Sequence, residues 1–506
     1  MTRSFLPALA KELALLAALV ARPAFAAGPL ETIGAPTSAN ALNARALARG
    51  PEAAFFNPAL LPDAGPTTEA GFFLLFTHGD ISLGERPAGS DVPESIYSAQ
   101  LRDPDGTTRR LELRPMPTAN LRVPRADTQE RDAIAYATIG VVRRLYEEYL
   151  VLGFYALLPI RSFQEQKAFF ADEREQYFEN QLRYELLGDR MVLTTFAVAL
   201  ASRVTPWLSV GGGVDVTIGT VARTSVHVPD AGDQREVLIS NDIKVESTFA
   251  PYFAIAARPL RWLRLTTTLH LPSSSETDGE NRIRFWNYTY PEGEDAIRQS
   301  YQGSLGYEPL RFGVGAAVMG PPVEAPPGIS PANPPRPLPP TWEGGARATV
   351  TRWSQYRDRH AERPLDTWSN TVSVGAGGAV VLGTRRVAAD IAFTPTPVPE
   401  QAGRTNYVDN SRLGASLSVE TPVTLLGADF GLAAFLQGQL LLARDTQKSA
   451  DARNPVLDEV PDNAVDLVSG APIEGAAGLQ TNNPGYPGFQ SAGWIAGAGF
   501  ALRLPQ

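Results

Sequence analysis

Apolar and polar residues alternate over one stretch of this chain after another, and that two-residue period suits β-strands and excludes long helices. In 209–221, Val210, Val214, Val216 and Ile218 share one side, against Ser209, Gly211, Gly213, Asp215 and Thr217. In 263–271, Leu263, Leu265, Leu269 and Leu271 oppose Arg264, Thr266, Thr268 and His270. In 411–420, Leu413, Ala415, Leu417 and Val419 oppose Arg412, Ser416, Ser418 and Glu420. In 428–444, Phe430, Leu432, Leu436, Leu440 and Leu442 alternate with Asp429, Gln437 and Gln439.

Alternation alone suits a soluble sandwich as well as a barrel. Connection lengths separate the two. Short turns at 203–207, 258–262, 382–385 and 421–427 lie between long polar loops at 161–189, 222–242, 272–302, 354–367, 395–410 and 445–491. Short turns at one end and long loops at the other mark an outer-membrane barrel. The up-and-down path predicts strands at 67–77, 118–142, 149–160, 190–202, 208–221, 243–257, 262–271, 303–318, 342–353, 368–381, 386–394, 411–420, 428–444 and 492–504. This is an all-β, antiparallel transmembrane barrel of about 14 strands. Arg125–Asp132 interrupts the second strand with charge, as a bulge or an extra excursion. Tyr149, Tyr155, Trp207, Trp262, Trp342, Trp353, Trp368 and Trp494 recur near strand ends, where aromatic girdles are expected. The Pro-rich stretch 319–341 falls where a short periplasmic turn belongs, and reads as a stiff protrusion.

The 506 residues are 43% hydrophobic and 20% charged, with a formal charge of −9, which gives no support for nucleic-acid binding. With no cysteine, disulfides, thiolate metal sites and Cys nucleophiles are excluded. Residues 1–26 read as a secretory signal: Arg3 and Lys11, an apolar run from Leu13 to Val20, and an Ala24-Phe25-Ala26 cleavage site. An eight-residue apolar run is too short to span about 30 Å of hydrocarbon. His78, His227, His270 and His360 show no metal-ligand spacing, so no catalytic residue, metal or cofactor is expected. Asp451, Asp458, Glu459, Asp462 and Asp466 read as solvated loop charge, with cation bridging to lipopolysaccharide as the lesser reading.

Residues 27–66 do not read as a strand. Their small side chains, running to Phe55-Phe56-Asn57-Pro58-Ala59-Leu60-Leu61, are the right length to fill a lumen. Here the chain resembles the FadL family of outer-membrane transporters for long-chain fatty acids and aromatic hydrocarbons. That family carries an Asn-Pro-Ala motif in an N-terminal hatch, and Asn57-Pro58-Ala59 stands in the corresponding place. Phe393–Pro399, followed by Thr405–Gly414, is similar to the family's late P-x-P-V-P loop, and Arg352-Trp353-Ser354 to an earlier strand end. The resemblance covers essentially all of the mature chain, 67–506 forming the barrel.

The resemblance implies capture of a hydrophobic small molecule at an outer groove, passage to a pocket against the hatch, and sideways release through the wall. It also implies outer-membrane lipid, lipopolysaccharide and the barrel-assembly machinery as partners. Phe55, Phe56, Leu60 and Leu61 are candidates for the pocket floor, with Asn57, Pro58 and Ala59 as the moving element; simple plug packing is the alternative. Gly153 is a candidate for a strand kink near a lateral exit, an idea that a well-paired third strand would end. The 161–189 loop, with aromatics among charges, is either a ligand-collecting surface or a cap. A surface adhesin or structural barrel and an open diffusion porin are the competing functions; lumen-facing Phe435 and Leu441, and the hatch itself, oppose the porin.

Overall fold

The computed structural model describes residues 29–84, 100–102, 108–110, 125–130, 133–147, 149–161, 169–170, 182–228, 238–274, 277–285, 289, 293–303, 307–323, 339–358, 361–403, 405–425, 428–449, 451, 471, 485 and 487–505. The signal segment 1–26, most of the 161–189 loop, His360, the heart of the Pro-rich stretch (324–338) and the acidic cluster beyond Asp451 lie outside the described residues.

Fourteen antiparallel strands form one closed wall. They are β1 (Thr67–Leu83), β2 (Ile134–Tyr146, preceded by Arg125–Glu130), β3 (Leu150–Arg161), β4 (Thr194–Thr205), β5 (Leu208–Val228), β6 (Leu238–Leu260) and β7 (Leu263–His270). The second half comprises β8 (Leu310–Met319), β9 (Trp342–Arg352), β10 (Thr371–Leu382), β11 (Arg385–Thr394), β12 (Arg412–Leu425), β13 (Ala428–Ser449) and β14 (Gly488–Pro505). β1 closes on β14 from Thr67↔Pro505 to Leu83↔Phe489, which leaves no open edge. The charged piece Arg125–Glu130 pairs with the same edge of β1 as Ile134–Val142, so it belongs to the second strand.

The side-chain alternation is inverted relative to a soluble sheet. Outward Leu436, Leu440 and Ile391 are 57–61% exposed, while inward Arg264, Thr266, Thr268 and His270 are buried. Apolar residues facing out around a closed wall find a favourable solvent only in hydrocarbon. Phe435 and Leu441 face inward and are buried.

Two expectations need correction. The segment 222–242 is largely strand: β5 and β6 have 21 and 23 residues and stay paired out to His227↔Leu238. About 10 tilted residues cross a membrane, so much of this ribbon stands clear of it. Part of 272–302 is a hairpin too, Thr277–Phe285 with Ile297–Gly303, docked beside the end of β5. The second correction concerns the girdle. Tyr149, Trp207, Trp262, Trp342 and Trp494 face outward and exposed, but Tyr155, Trp353 and Trp368 are buried. Tyr155 is one residue out of parity for the girdle, whereas Trp353 and Trp368 lie outside the strands in a buried aromatic cluster.

Inside the wall sits an N-terminal plug of short elements: α1 (Leu30–Ile33), α2 (Ala44–Leu47), α3 (Ala53–Phe56) and 3-10 turns at Ala41–Asn43 and Pro58–Asp63. Gly34 takes φ +71° beyond α1, and a Cβ there would meet the Ala41 carbonyl oxygen at 2.2 Å. Pro51, Pro58 and Pro62 each remove a backbone donor, which keeps the segment from one continuous helix. At the β8–β9 turn, Gly320 donates to the Trp342 carbonyl, Thr341 to Pro321 and Val323 to Pro339, so the Pro-rich stretch leaves the barrel on a hydrogen-bonded stem.

Candidate functional site: a plugged lumen and its arginine-lined cavity

The plug seats its second half on β3 to β6, where the wall is paved with small residues. Gly153 receives Leu61: a Cβ there would lie 2.7 Å from both Leu61 methyls and 3.0 Å from Ala54 Cβ. Gly211 receives the next turn, and a Cβ there would lie 2.7 Å from the Pro58 carbonyl carbon. Tyr252 Oη donates to the Ala54 carbonyl, and Phe55 packs edge-on to Phe56 with ring centroids 4.8 Å apart. Asn57 donates to the Arg45 carbonyl at 2.8 Å, tying α3 back to α2.

Charges fasten the plug elsewhere. Asp63, at the end of the last turn, accepts from Arg203 at 2.5 Å and from Arg258, with Arg264 3.8 Å away. Arg49 makes a two-pronged bond to Glu343 of β9, 2.9 Å on each side, and Arg386 of β11 joins the same carboxylate. Burial alone would lower the Arg49 pKa; the facing Glu343 carboxylate more than offsets it and raises it. Arg503 of β14 donates to Glu69 and to the Thr37 carbonyl, both at 2.6 Å. Asp390 of β11 accepts from the Asn40 amide at 2.9 Å and the Leu42 backbone at 3.2 Å. Wall side chains also cap plug carbonyls: Arg264 on Ala46, Ser418 on Ala39 and Gln439 on Thr32. A buried polar group needs a partner, and for these plug groups the polar inner faces of the strands supply one.

Above the plug lies a cavity of about 80 Å³. Five arginines converge on it from separate elements: Arg45 from α2 below, Arg311, Arg347 and Arg412 from β8, β9 and β12, and Arg190 from the loop above. Glu31 is the acidic lining residue. Burial would raise its carboxyl pKa, but Arg311 and Arg45, 3.6 and 2.5 Å away, pull it well below the usual carboxylate range. Leu186 and Trp353 form an apolar flank, continuous with a buried cluster of Tyr307, Tyr356, Trp368 and Val398, in which Tyr356 and Trp368 stack at 3.7 Å. A second space of about 40 Å³ runs deeper along Leu30, Leu42, Phe56 and Gly414.

The sequence candidates divide accordingly. Phe56 lines the deeper space, with the Arg45 guanidinium 5.7 Å from its ring centre. Phe55, Asn57, Pro58, Ala59, Leu60 and Leu61 are buried in the seat. Gly153 carries no kink: it pairs in register with Val142 on one side and Ala199 on the other. Its missing side chain makes room for Leu61, so the expected exit at that residue is withdrawn. Arg190, Arg311, Arg347 and Arg412 were not singled out by sequence reasoning. Strand parity offered a signal for three of them, because each shares the inward face of its strand with buried neighbours: Arg311 with Gly313, Arg347 with Thr349 and Arg412 with Ser416.

No family model matches this sequence, and no curated protein matches it. Solved structures do. The chain is similar to a Pseudomonas aeruginosa FadL homologue with TM-score 0.51 and 12% identity, over 95% of this chain and 98% of that one. It is also similar to the P. putida toluene transporter TodX, with TM-score 0.50 and 10% identity, over 94% and 99%. At such identities the likeness establishes the fold: this chain has the plugged, fourteen-stranded architecture of FadL-type barrels.

Proposed function

We propose that this protein carries hydrophobic small molecules across the outer membrane, and that the plug moves to let them pass. The observation that carries this reading is the coexistence of a lipid-facing closed wall with a lumen filled by residues 30–64. A diffusion pore needs an open aqueous channel, and here the plug occupies that space. A structural anchor has no need of a cavity on the plug's outer face.

Ligand enters from the long-loop end, past Leu186 and Trp353, and rests above α1 with Phe56 at the floor. The seat formed by Phe55 and Asn57–Leu61 holds the plug in its resting position, and rearrangement of this segment opens the way down. Lipid tails surround the wall, lipopolysaccharide faces the long loops, and the barrel-assembly machinery inserts the chain. The test is uptake of a labelled long-chain fatty acid and of toluene by outer-membrane vesicles carrying the full chain, alongside planar-bilayer conductance. Saturable uptake with low conductance supports the reading. Large steady conductance without solute preference would replace it with a porin.

A further inference from the structure

The arginine cavity is chemically unlike a site for plain hydrocarbon. Arg190 donates to neutral acceptors, the Tyr307 carbonyl at 3.2 Å and the Tyr356 hydroxyl at 3.4 Å. Arg347 likewise meets the Leu42 carbonyl at 2.9 Å and Thr349 Oγ1 at 3.4 Å. Arg412 Nη1 and Arg45 Nε are buried with no hydrogen-bond partner, and Arg45 is itself only 7% exposed. Glu31 is shared between Arg45 and Arg311, and Glu308 pairs with Arg311 from behind. Asp409 and Asp390 act electrostatically on Arg412 and Arg347, and neither lines the cavity. Thr349, Thr351, Thr371, Ser373 and Thr394 add hydroxyls to the same lining.

Buried guanidinium N–H groups without a protein partner are costly to leave unmet, and a bound oxyanion satisfies them. The shape of the donor set narrows the anion. A carboxylate is planar and its two oxygens suit one or two forks, whereas these guanidiniums arrive from the plug, the loop above and separate sectors of the wall. A tetrahedral group with three terminal oxygens meets donors from all these directions. A space of about 80 Å³ holds such a head group, since about 10–15 Å³ on the same measure admits one water.

Building on the transport reading, we infer that the cavity binds a tetrahedral oxyanion, the phosphate or sulfate-type head of an amphiphile whose apolar body lies against Trp353, Leu186 and Phe56. The solute of this barrel is then an anionic, monoesterified amphiphile.

Calorimetric titration of the detergent-solubilised full chain in phosphate-free buffer tests this, using dodecyl phosphate, dodecanoate, inorganic phosphate and toluene as probes. Dodecyl phosphate should bind at least tenfold more tightly than dodecanoate, and Arg412→Gln should weaken it about tenfold, with Arg412→Lys partly restoring it. Arg190→Gln, outside the barrel wall, should weaken it too, which guards against a misfolded Arg412 variant. Equal or tighter binding of dodecanoate overturns the tetrahedral assignment, and equal binding of inorganic phosphate overturns the amphiphile. Binding and uptake of toluene without any response to dodecyl phosphate sinks this inference while leaving the transport reading intact. Failure of every probe, in binding and in uptake, sinks both.

Discussion

Asp63 Oδ1 lies 2.5 Å from Arg203 Nη2, so the last turn of the plug is bound by charge to the short-turn end of β4. Arg258 of β6 binds the second oxygen of the same carboxylate. One side chain thus fastens the plug to two strands beside its seat.

Asp63→Asn keeps the shape and removes the charge, leaving Arg203, Arg258 and Arg264 without their shared counter-ion. Breaking a buried pair by removing one partner costs about 3–5 kcal/mol, and here less, because Arg258 is one-third exposed. Hydrogen exchange should accelerate in residues 50–63 while the β-strands keep their protection. Unchanged exchange in the plug would show that the clasp is dispensable.

Gly153→Ala should displace Leu61, because the new Cβ has two methyls 2.7 Å away. Overpacking of this kind costs about 1–3 kcal/mol. Leu61→Ala should cost less in the Gly153→Ala background than in the parent, read from thermal unfolding. Strict additivity of the two changes would mean they do not share the contact described.

Glu31 makes plug stability depend on acid. Its folded carboxyl titrates below the ordinary value of 4.5 because Arg311 and Arg45 outweigh its burial. Its contribution is therefore complete above about pH 4.5 and declines as pH falls toward the folded value. Limited proteolysis of the plug should rise as pH falls below 4.5. Glu31→Gln should raise proteolysis at pH 7 and flatten the acid response. A variant with the parent's full acid response would place the titration elsewhere.

The wall was legible in the sequence because a barrel writes its two environments into alternate residues. Leu265 against Arg264 and Thr266 is enough to orient β7. β5 and β6 continue past residue 221 through Arg223-Thr224-Ser225 and Ser240-Asn241-Asp242, where the sequence no longer alternates apolar with polar, which is why they read as loop. The plug's location could be inferred from Asn57-Pro58-Ala59, but not its seat: nothing local tells Gly153 that Leu61 will fill its space. The cavity was the least legible part. Arg45, Arg190, Arg311, Arg347 and Arg412 lie on five elements spread over most of the chain, and only closure of the barrel brings them together.

Movement of the plug against the wall is the claim on which the transport account stands, and a reversible lock tests it. Ala46 Cβ lies 3.0 Å from where a Cβ would stand at Gly315 of β8, so cysteines at both positions need about half an ångström of relaxation to reach disulfide geometry, with the Thr266 hydroxyl, 2.6 Å from the same point, turning aside. The native chain has no cysteine to interfere. Uptake by the Ala46→Cys, Gly315→Cys protein, measured oxidised and again after reduction, should be blocked in the first state and restored in the second. Full uptake with the disulfide formed would contradict a moving plug.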